Sequence, residues 1–268
     1  VTSDTMLSYQ HAYHAGNPAD LHKHMVLCGL IDILMSQSRR LTYMETHAGR
    51  GRYDISSKEA LKTREAEMGI SALLAASGPP LPKPYAKTLA AVKKMYGRNT
   101  YPGSPTFASF LLRPEDKIVL MELHPAEHAA LERNMSGTNT TVHRADGFEM
   151  VWELSPPKPR RGLVLIDPSY EVKSDYFDTA EFALALAEKW PEACVLIWYP
   201  MLPANRHQEL IEPLENTPHL HQQVAVPIKD NRGMFGSGLI VLNPPKGTRD
   251  LLETVLTAGN PVLTPYVS

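Results

Sequence analysis

The tetrapeptide Asp167-Pro168-Ser169-Tyr170 follows the apolar run Gly162-Leu163-Val164-Leu165-Ile166, which reads as a central strand. A carboxylate and a backbone carbonyl at such a strand end can accept hydrogen bonds from the two N–H groups of an exocyclic amine. On adenine that amine is a poor nucleophile, because its lone pair is delocalised into the ring. Two acceptors in this arrangement favour attack along the freed lone pair. Asp167 and the carbonyl of Pro168 suit that task, and Tyr170 offers a ring on which the base can stack. A bare tetrapeptide is equally readable as a proline turn leaving a strand, with Tyr170 at its rim.

Three other predicted strands also end in polar groups. Glu45-Thr46-His47-Ala48-Gly49-Arg50-Gly51 closes the first, Glu122 the second and Asp146-Gly147 the third. Ligands of open α/β sheets lie at the carboxyl ends of strands, near the point where strand order reverses. One polar ending is weak evidence, since loops are polar anyway; four in chain order carry more weight. Gly49 and Gly51 allow a tight turn and close approach of backbone to a ligand. The dinucleotide fingerprint fails, because Asp54 stands where a third Gly or Ala is required. No Lys-Ser/Thr pair follows the glycines, so an ATP loop fails as well. An adenosyl ligand without phosphate remains, with Glu122 as bidentate acceptor for ribose hydroxyls and Asp146 as acceptor for the adenine amino group. Taken singly, each acid reads as a surface carboxylate.

The elements that must carry these residues alternate along the chain. Asn17-Pro18-Ala19-Asp20 reads as a helix start, and Leu21, His24, Cys28, Ile31 and Met35 recur at helical spacing to about Gln37. Ser56 and Glu59 have capping-box spacing and open a helix over 56–76, followed by a proline-rich break and a helix over 85–96. Strands are expected at 41–46, 118–123, 140–143, 163–167, 193–198, 222–227 and 238–243. Helices are expected between them at 125–135, 147–154, 176–189 and 205–215. The pattern is α/β, a mostly parallel seven-stranded sheet with helices on both faces. Residues 1–53 and 101–268 would form it, and 54–100 a small inserted helical subdomain.

Composition narrows the class further. The 268 residues are 43% hydrophobic and 21% charged, which excludes disorder. The longest apolar stretch, 25–35, is short and carries Asp32, so no membrane span is expected. The start has no basic segment followed by an apolar one, so the chain reads as soluble and cytoplasmic. Cys28 and Cys194 cannot make a disulfide framework or a cysteine zinc site. His11, His14, His22 and His24 lack a companion set of ligands at zinc spacing, so no metal is expected. The net charge of −2 conceals an excess between Arg39 and Arg98, where twelve basic residues face five acidic ones. That excess is either a solvated helical face or an attractor for a polyanion.

Several longer runs carry a resemblance. Leu7-Ser8-Tyr9-Gln10-His11-Ala12-Tyr13-His14-Ala15-Gly16-Asn17-Pro18-Ala19-Asp20-Leu21-His22-Lys23-His24 is one, and Thr46-His47-Ala48-Gly49-Arg50-Gly51-Arg52-Tyr53 another. Tyr101-Pro102-Gly103-Ser104-Pro105, Glu122-Leu123-His124-Pro125, Ala145-Asp146-Gly147-Phe148 and Trp198-Tyr199-Pro200 complete the set. Together with the Asp-Pro-Ser-Tyr motif, they resemble the Rossmann-like bacterial 23S rRNA adenine-N6 methyltransferases of the RlmJ type over nearly the whole chain. The resemblance implies S-adenosyl-L-methionine as cofactor, S-adenosyl-L-homocysteine as product, and the adenine at position 2030 of 23S rRNA as target. It implies a monomer acting on protein-free or early-assembly 23S rRNA, without metal or membrane. Lys23, His24, His47, Gly49, Ser104, Glu122, Asp146, Gly147 and Asp167 would contact the cofactor. Asp167, Pro168 and Tyr170 would be catalytic, and Tyr9 and Tyr170 would meet the RNA. The insertion becomes part of the RNA surface.

Two positions depart from that family pattern. Ser169 replaces the motif's second proline, which could loosen the turn at Tyr170 while leaving the acceptors intact. Glu45 stands where an Asp is typical. Asn243-Pro244-Pro245 imitates the motif, but Lys246 replaces its aromatic residue, so it reads as a strand-ending turn. Arg160-Arg161 reads as solvated. The alternatives are a DNA adenine or protein-glutamine N-methyltransferase, which share the amine chemistry, and a non-catalytic RNA-binding protein retaining the cofactor pocket.

Overall fold

Helix α1 (Pro18–Met35) begins where its cap dictates: the Asn17 side chain accepts the Asp20 N–H at 2.8 Å, and Pro18 fills the first position, where no N–H is needed. A computed structural model of the chain describes residues 10–137, 139–227 and 233–266. A turn of 3-10 helix, His11–Tyr13, leads into α1. The helix is buried on nearly every side, because the sheet, the inserted helices and the C-terminal helix all pack on it.

The sheet comprises β1 (Thr42–Glu45), β4 (Lys117–Met121), β5 (Thr140–His143), β6 (Gly162–Ile166), β7 (Ala193–Met201), β8 (His219–Ala225), β9 (Gly236–Leu242) and the two-residue edge strand β10 (Thr264–Pro265). Their order is β10-β8-β9-β7-β6-β1-β4-β5. The β5-β4-β1-β6-β7 pairs are parallel, and β9 runs antiparallel to both β7 and β8, so β8 shares the direction of β7. All seven expected strands are present; the eighth, β10, is an addition that the short Thr264–Pro265 segment did not signal. From β1 the chain steps outward to β4 and β5, then returns to β6 on the other side. The carboxyl end of β1 is therefore the switch point.

Strand residues alternate between two cores, as a period of two requires. Tyr43, Leu163, Leu165, Leu196 and Val241 face α1. Met44, Val164, Ile166, Ile197 and Ile240 face α7 (Gly147–Leu154), α8 (Asp175–Lys189) and α9 (Gln208–Leu214). On the α1 side lie α5 (Ser104–Leu111), Leu131 of α6 (Pro125–Asn134) and α10 (Thr248–Gly259).

The insertion leaves and rejoins the domain through a two-stranded antiparallel ribbon, β2 (Arg52–Asp54) with β3 (Thr100–Pro102). Between them lie α2 (Lys58–Thr63), a π turn over 67–71, α3 (Ala72–Ala75) and α4 (Lys83–Tyr96). The single helix expected over 56–76 is thus three pieces. Asp54 captures the Ser56 hydroxyl and N–H, so the cap passes to Ser57, whose oxygen accepts the Ala60 N–H at 3.2 Å. Arg64 then turns left-handed, with φ of 58°, and ends α2. Ile70, Leu73, Tyr85 and Leu89 of the insertion join the same apolar cluster as α1. Among the described residues no helix is long and apolar enough to cross a membrane.

Candidate active site

Parallel register brings the four polar strand ends into one row. The Thr46 N–H donates to the Leu165 carbonyl, Ala48 N–H to Met121 and Glu122 N–H to His143. Asp167, the Glu45–His47 stretch, Glu122 and Asp146 consequently emerge along the same edge of the sheet, in the order β6, β1, β4, β5.

One end of this row is dense with charge. The Lys23 ammonium donates to Asp167 Oδ2 at 2.6 Å and lies 3.2 Å from Asp20 Oδ1, with both α1 residues buried. Asp20 Oδ2 also accepts the Gly16 N–H at 2.9 Å and lies 2.9 Å from His11 Nε2. Burial pushes the Asp167 carboxyl up, and Lys23 opposes that shift. Asp20 ends well below the usual carboxylate range: burial alone would raise it, and the neighbouring His11 and Lys23 outweigh that desolvation. His24 places its Nδ1 2.9 Å from the Tyr101 hydroxyl and packs against the Phe107 ring, with its Nε2 4.0 Å from Asp20 Oδ1. Burial lowers its pKa to about 3, so the imidazole is neutral.

Glu45 lies wholly buried at the end of β1, accepting hydrogen bonds from the Ser104 and Tyr43 hydroxyls. Burial, with Asp167 nearby, raises its pKa to about 8. The extra methylene relative to Asp lets this acid reach Ser104 at the start of α5. Ser104, expected at the cofactor, is thereby engaged with Glu45.

The other end of the row is built on backbone. Gly49 has φ of +60° and Gly51 +77°, and the Gly49 N–H donates to Glu122 Oε2 at 2.8 Å. Glu122 Oε1 accepts the His124 N–H at 2.8 Å. Each carboxylate oxygen carries two lone pairs, so this half-exposed group retains acceptor capacity on both. Burial still raises its pKa. Arg50 donates to Glu127 Oε2 at 2.8 Å and ties the loop to α6. Asp146 caps α7, its Oδ1 accepting the N–H groups of Phe148 and Glu149, and its side chain is exposed. A Cβ on Gly147 would run into the Thr46 carbonyl, so only glycine lets α7 start this close to the β1 loop. His47 packs edge-on against Phe148, with its Nδ1 2.8 Å from the Thr46 hydroxyl; burial lowers its pKa to about 4.

These residues fit an adenosyl group by donor chemistry: a pinned carboxylate for a diol, a capping carboxylate and a glycine-lined turn. Among the described residues no cluster of His, Cys, Asp and Glu could hold a metal ion.

Tyr170 faces inward. It is 6% exposed, with φ of 56°, its hydroxyl donates to the Trp198 carbonyl at 2.6 Å, and its ring packs on Tyr176 at 4.5 Å. Pro168 is buried beside it and Ser169 half-buried. Tyr9 lies outside the described residues. Sequence reasoning assigned no role to Asp20 beyond helix initiation. The signal was present: Asp20, Lys23 and His24 have the i, i+3, i+4 spacing of one helix face.

An open α/β sheet with its switch point at β1, a reversed β9 beside β7, and acids at the ends of β1, β4, β5 and β6 defines a Rossmann-like methyltransferase. The model of the family described as "Ribosomal RNA large subunit methyltransferase D, RlmJ" matches residues 38–265, and the chain belongs to that family. "Ribosomal RNA large subunit methyltransferase J" of Haemophilus influenzae is 38% identical over 269 residues, covering 97% of this chain and 95% of that protein. The protein of the same name from Escherichia coli is 36% identical, covering 94% and 92%. The crystal structure of protein LPL1258 from Legionella pneumophila superposes with a TM-score of 0.82 at 32% identity, covering 92% of this chain and 95% of that one.

Proposed function

We propose that the protein transfers a methyl group from S-adenosyl-L-methionine to the exocyclic N6 amine of an adenine in 23S ribosomal RNA, leaving S-adenosyl-L-homocysteine. The observation that carries this reading is Asp167, held by Lys23 at the end of β6 beside the Pro168 carbonyl, in one row with Glu122 and Asp146. The cofactor supplies an electrophilic methyl group whose departing thioether is neutral. Glu122 binds the ribose hydroxyls and Asp146 the adenine amino group, with Gly49, Gly147 and His47 forming the turn around them. Lys23, His24 and Ser104 support that pocket from α1 and α5.

Asp167 and the Pro168 carbonyl accept the two amine N–H groups and leave the nitrogen lone pair clear for direct in-line attack. No covalent enzyme intermediate is needed. Burial raises the Asp167 carboxyl and Lys23 opposes that rise, and the carboxylate form lies where it can also take the proton the methylated nitrogen sheds. Tyr170 walls the base site. The target adenine must leave its stack to arrive there, which suits an exposed or extruded base in protein-free or early-assembly RNA. Residues 54–100, the inserted helical subdomain, would carry the basic surface for flanking phosphates, and Tyr9 would meet the substrate.

Methyl incorporation into undermodified protein-free 23S rRNA, duplex DNA and release-factor protein tests this reading. Label should enter the RNA at adenine N6, and Asp167→Ala should abolish it while the protein still folds. Label in DNA or in a glutamine instead would assign the same amine chemistry to another substrate. Cofactor binding with no methylation of any of the three would leave a binding protein.

A further inference from the structure

Trp198 follows Ile197 on β7, whose register partner on β6 is Ile166, the residue before Asp167. Trp198 and Asp167 are therefore neighbours at the same sheet edge, and strand alternation turns both toward α1. The Lys23 ammonium lies 5.2 Å from the Trp198 ring centroid, within the range of a cation–π contact. An ammonium has three N–H groups, and Asp167, Asp20 and this aromatic face together surround it.

The indole is itself anchored. Its Nε1–H donates to Ser237 Oγ at 2.9 Å, and that oxygen lies 3.0 Å from His22 Nδ1. His22 Nε2 lies 3.0 Å from Gln222 Oε1, and the Gln222 amide donates to the Leu252 carbonyl at 3.0 Å. His22 and Ser237 are completely buried. So deep a polar chain between α1, β8, β9 and α10 costs desolvation, and each of these contacts ends at or supports the indole. The Trp198 carbonyl meanwhile accepts the Tyr170 hydroxyl at 2.6 Å.

Resting on the amine-acceptor reading above, we propose that Trp198 is the positioning residue of the acceptor site: its ring keeps Lys23 against Asp167, its carbonyl holds Tyr170, and the Ser237–His22 pair fixes the ring's rotation. The groups facing Asp167 are Lys23 and Asp20 from α1, His11 from the turn before it, Tyr43 and Glu45 from β1, and Tyr170 from its own loop. Lys23 holds the Asp167 pKa down against burial. A lysine released from its post lets that pKa climb, and the acid limb of the kcat profile moves to higher pH.

The variants Trp198→Leu, Trp198→Phe and Ser237→Ala test this, with kcat, KM for the cofactor, the pH profile, and acetylation of Lys23 in the cofactor-free protein by acetic anhydride, read by mass spectrometry. Trp198→Leu should lower kcat about tenfold, leave KM for S-adenosyl-L-methionine within about twofold, and move the acid limb up by about half a pH unit. Lys23 should acetylate several-fold faster. Trp198→Phe keeps a ring and loses the N–H, so it should fall between this variant and the wild type; Ser237→Ala should shift the same readouts less. A folded Trp198→Leu whose acid limb and Lys23 acetylation match the wild type overturns the proposal. If that variant fails to fold, the same two readouts on Ser237→Ala decide, unchanged values overturning it. Wild-type protein that methylates no RNA refutes the functional reading alone; Lys23 acetylation then decides, faster labelling in Trp198→Leu supporting the positioning role and unchanged labelling overturning it.

Discussion

The two ends of the active-site row are built on opposite plans. At the β6 end, side chain meets side chain: Asp167 and Asp20 share the Lys23 ammonium in a buried chain, with His11 on its flank. At the β4 and β5 ends, side chain meets backbone: Glu122 and Asp146 each accept two N–H groups from a loop or helix start and remain partly open to solvent. The first plan couples the site to the stability of the domain, since a buried charge must keep its partner. The second leaves a receptor whose shape the backbone sets and whose acceptors are ready for a ligand. On the proposed reading, the buried ion chain lies where the amine would be aimed.

Removing the central cation attacks that contrast most directly. Lys23→Met leaves two buried carboxylates facing each other, so denaturant unfolding should show a loss of about 3–5 kcal/mol, with methyl transfer falling at the same time. Glu122→Gln should do the reverse: KM for S-adenosyl-L-methionine rises about tenfold, as expected for a weakened charged hydrogen bond, while the unfolding midpoint and kcat stay near wild type. A stable Lys23→Met or an unstable Glu122→Gln would erase the distinction between the two ends.

A subtler comparison uses pH. The folded-state pKa of Glu45 is raised to about 8 from an ordinary value near 4.5, so the native state holds a proton that the unfolded chain releases. The associated stability is complete below pH 4.5 and is lost as pH rises toward 8. Between pH 7 and 8 the wild type should lose about 1 kcal/mol that Glu45→Gln does not lose, measured as the difference between their unfolding curves. Parallel curves would mean that Glu45 is ionised in the native state.

Much of the frame was legible because it is local. Asn17 and Pro18 announce α1 by capping chemistry, and the strand-ending acids follow apolar runs whose alternation with helices implies one edge. What escaped is long-range or a matter of competition. Lys23 finds Asp167 across 144 residues of sequence, and no spacing rule connects them. Ser104, expected at the cofactor, donates its hydroxyl to the buried Glu45. Ser56 has the right spacing for a capping box, but Asp54 competes for it. Tyr170 reads as a stacking platform, whereas its ring lies against Tyr176 because its left-handed backbone turns it inward.

The partners of α1 carry a consequence for the order in which this protein can be made. His22 is bonded to Gln222 and Ser237, 200 and 215 residues later, and the side of α1 at Gly29 is closed by Leu251 of α10. Helix α1 therefore waits for β8, β9 and α10, all late in the sequence, before its apolar surface is covered. Contacts of such sequence separation form slowly and leave unsatisfied surface exposed meanwhile. Until α10 has emerged, the strand-end carboxylates lack the packing that closes around α1. Assembly of the candidate site is thus tied to the late docking of β8, β9 and α10.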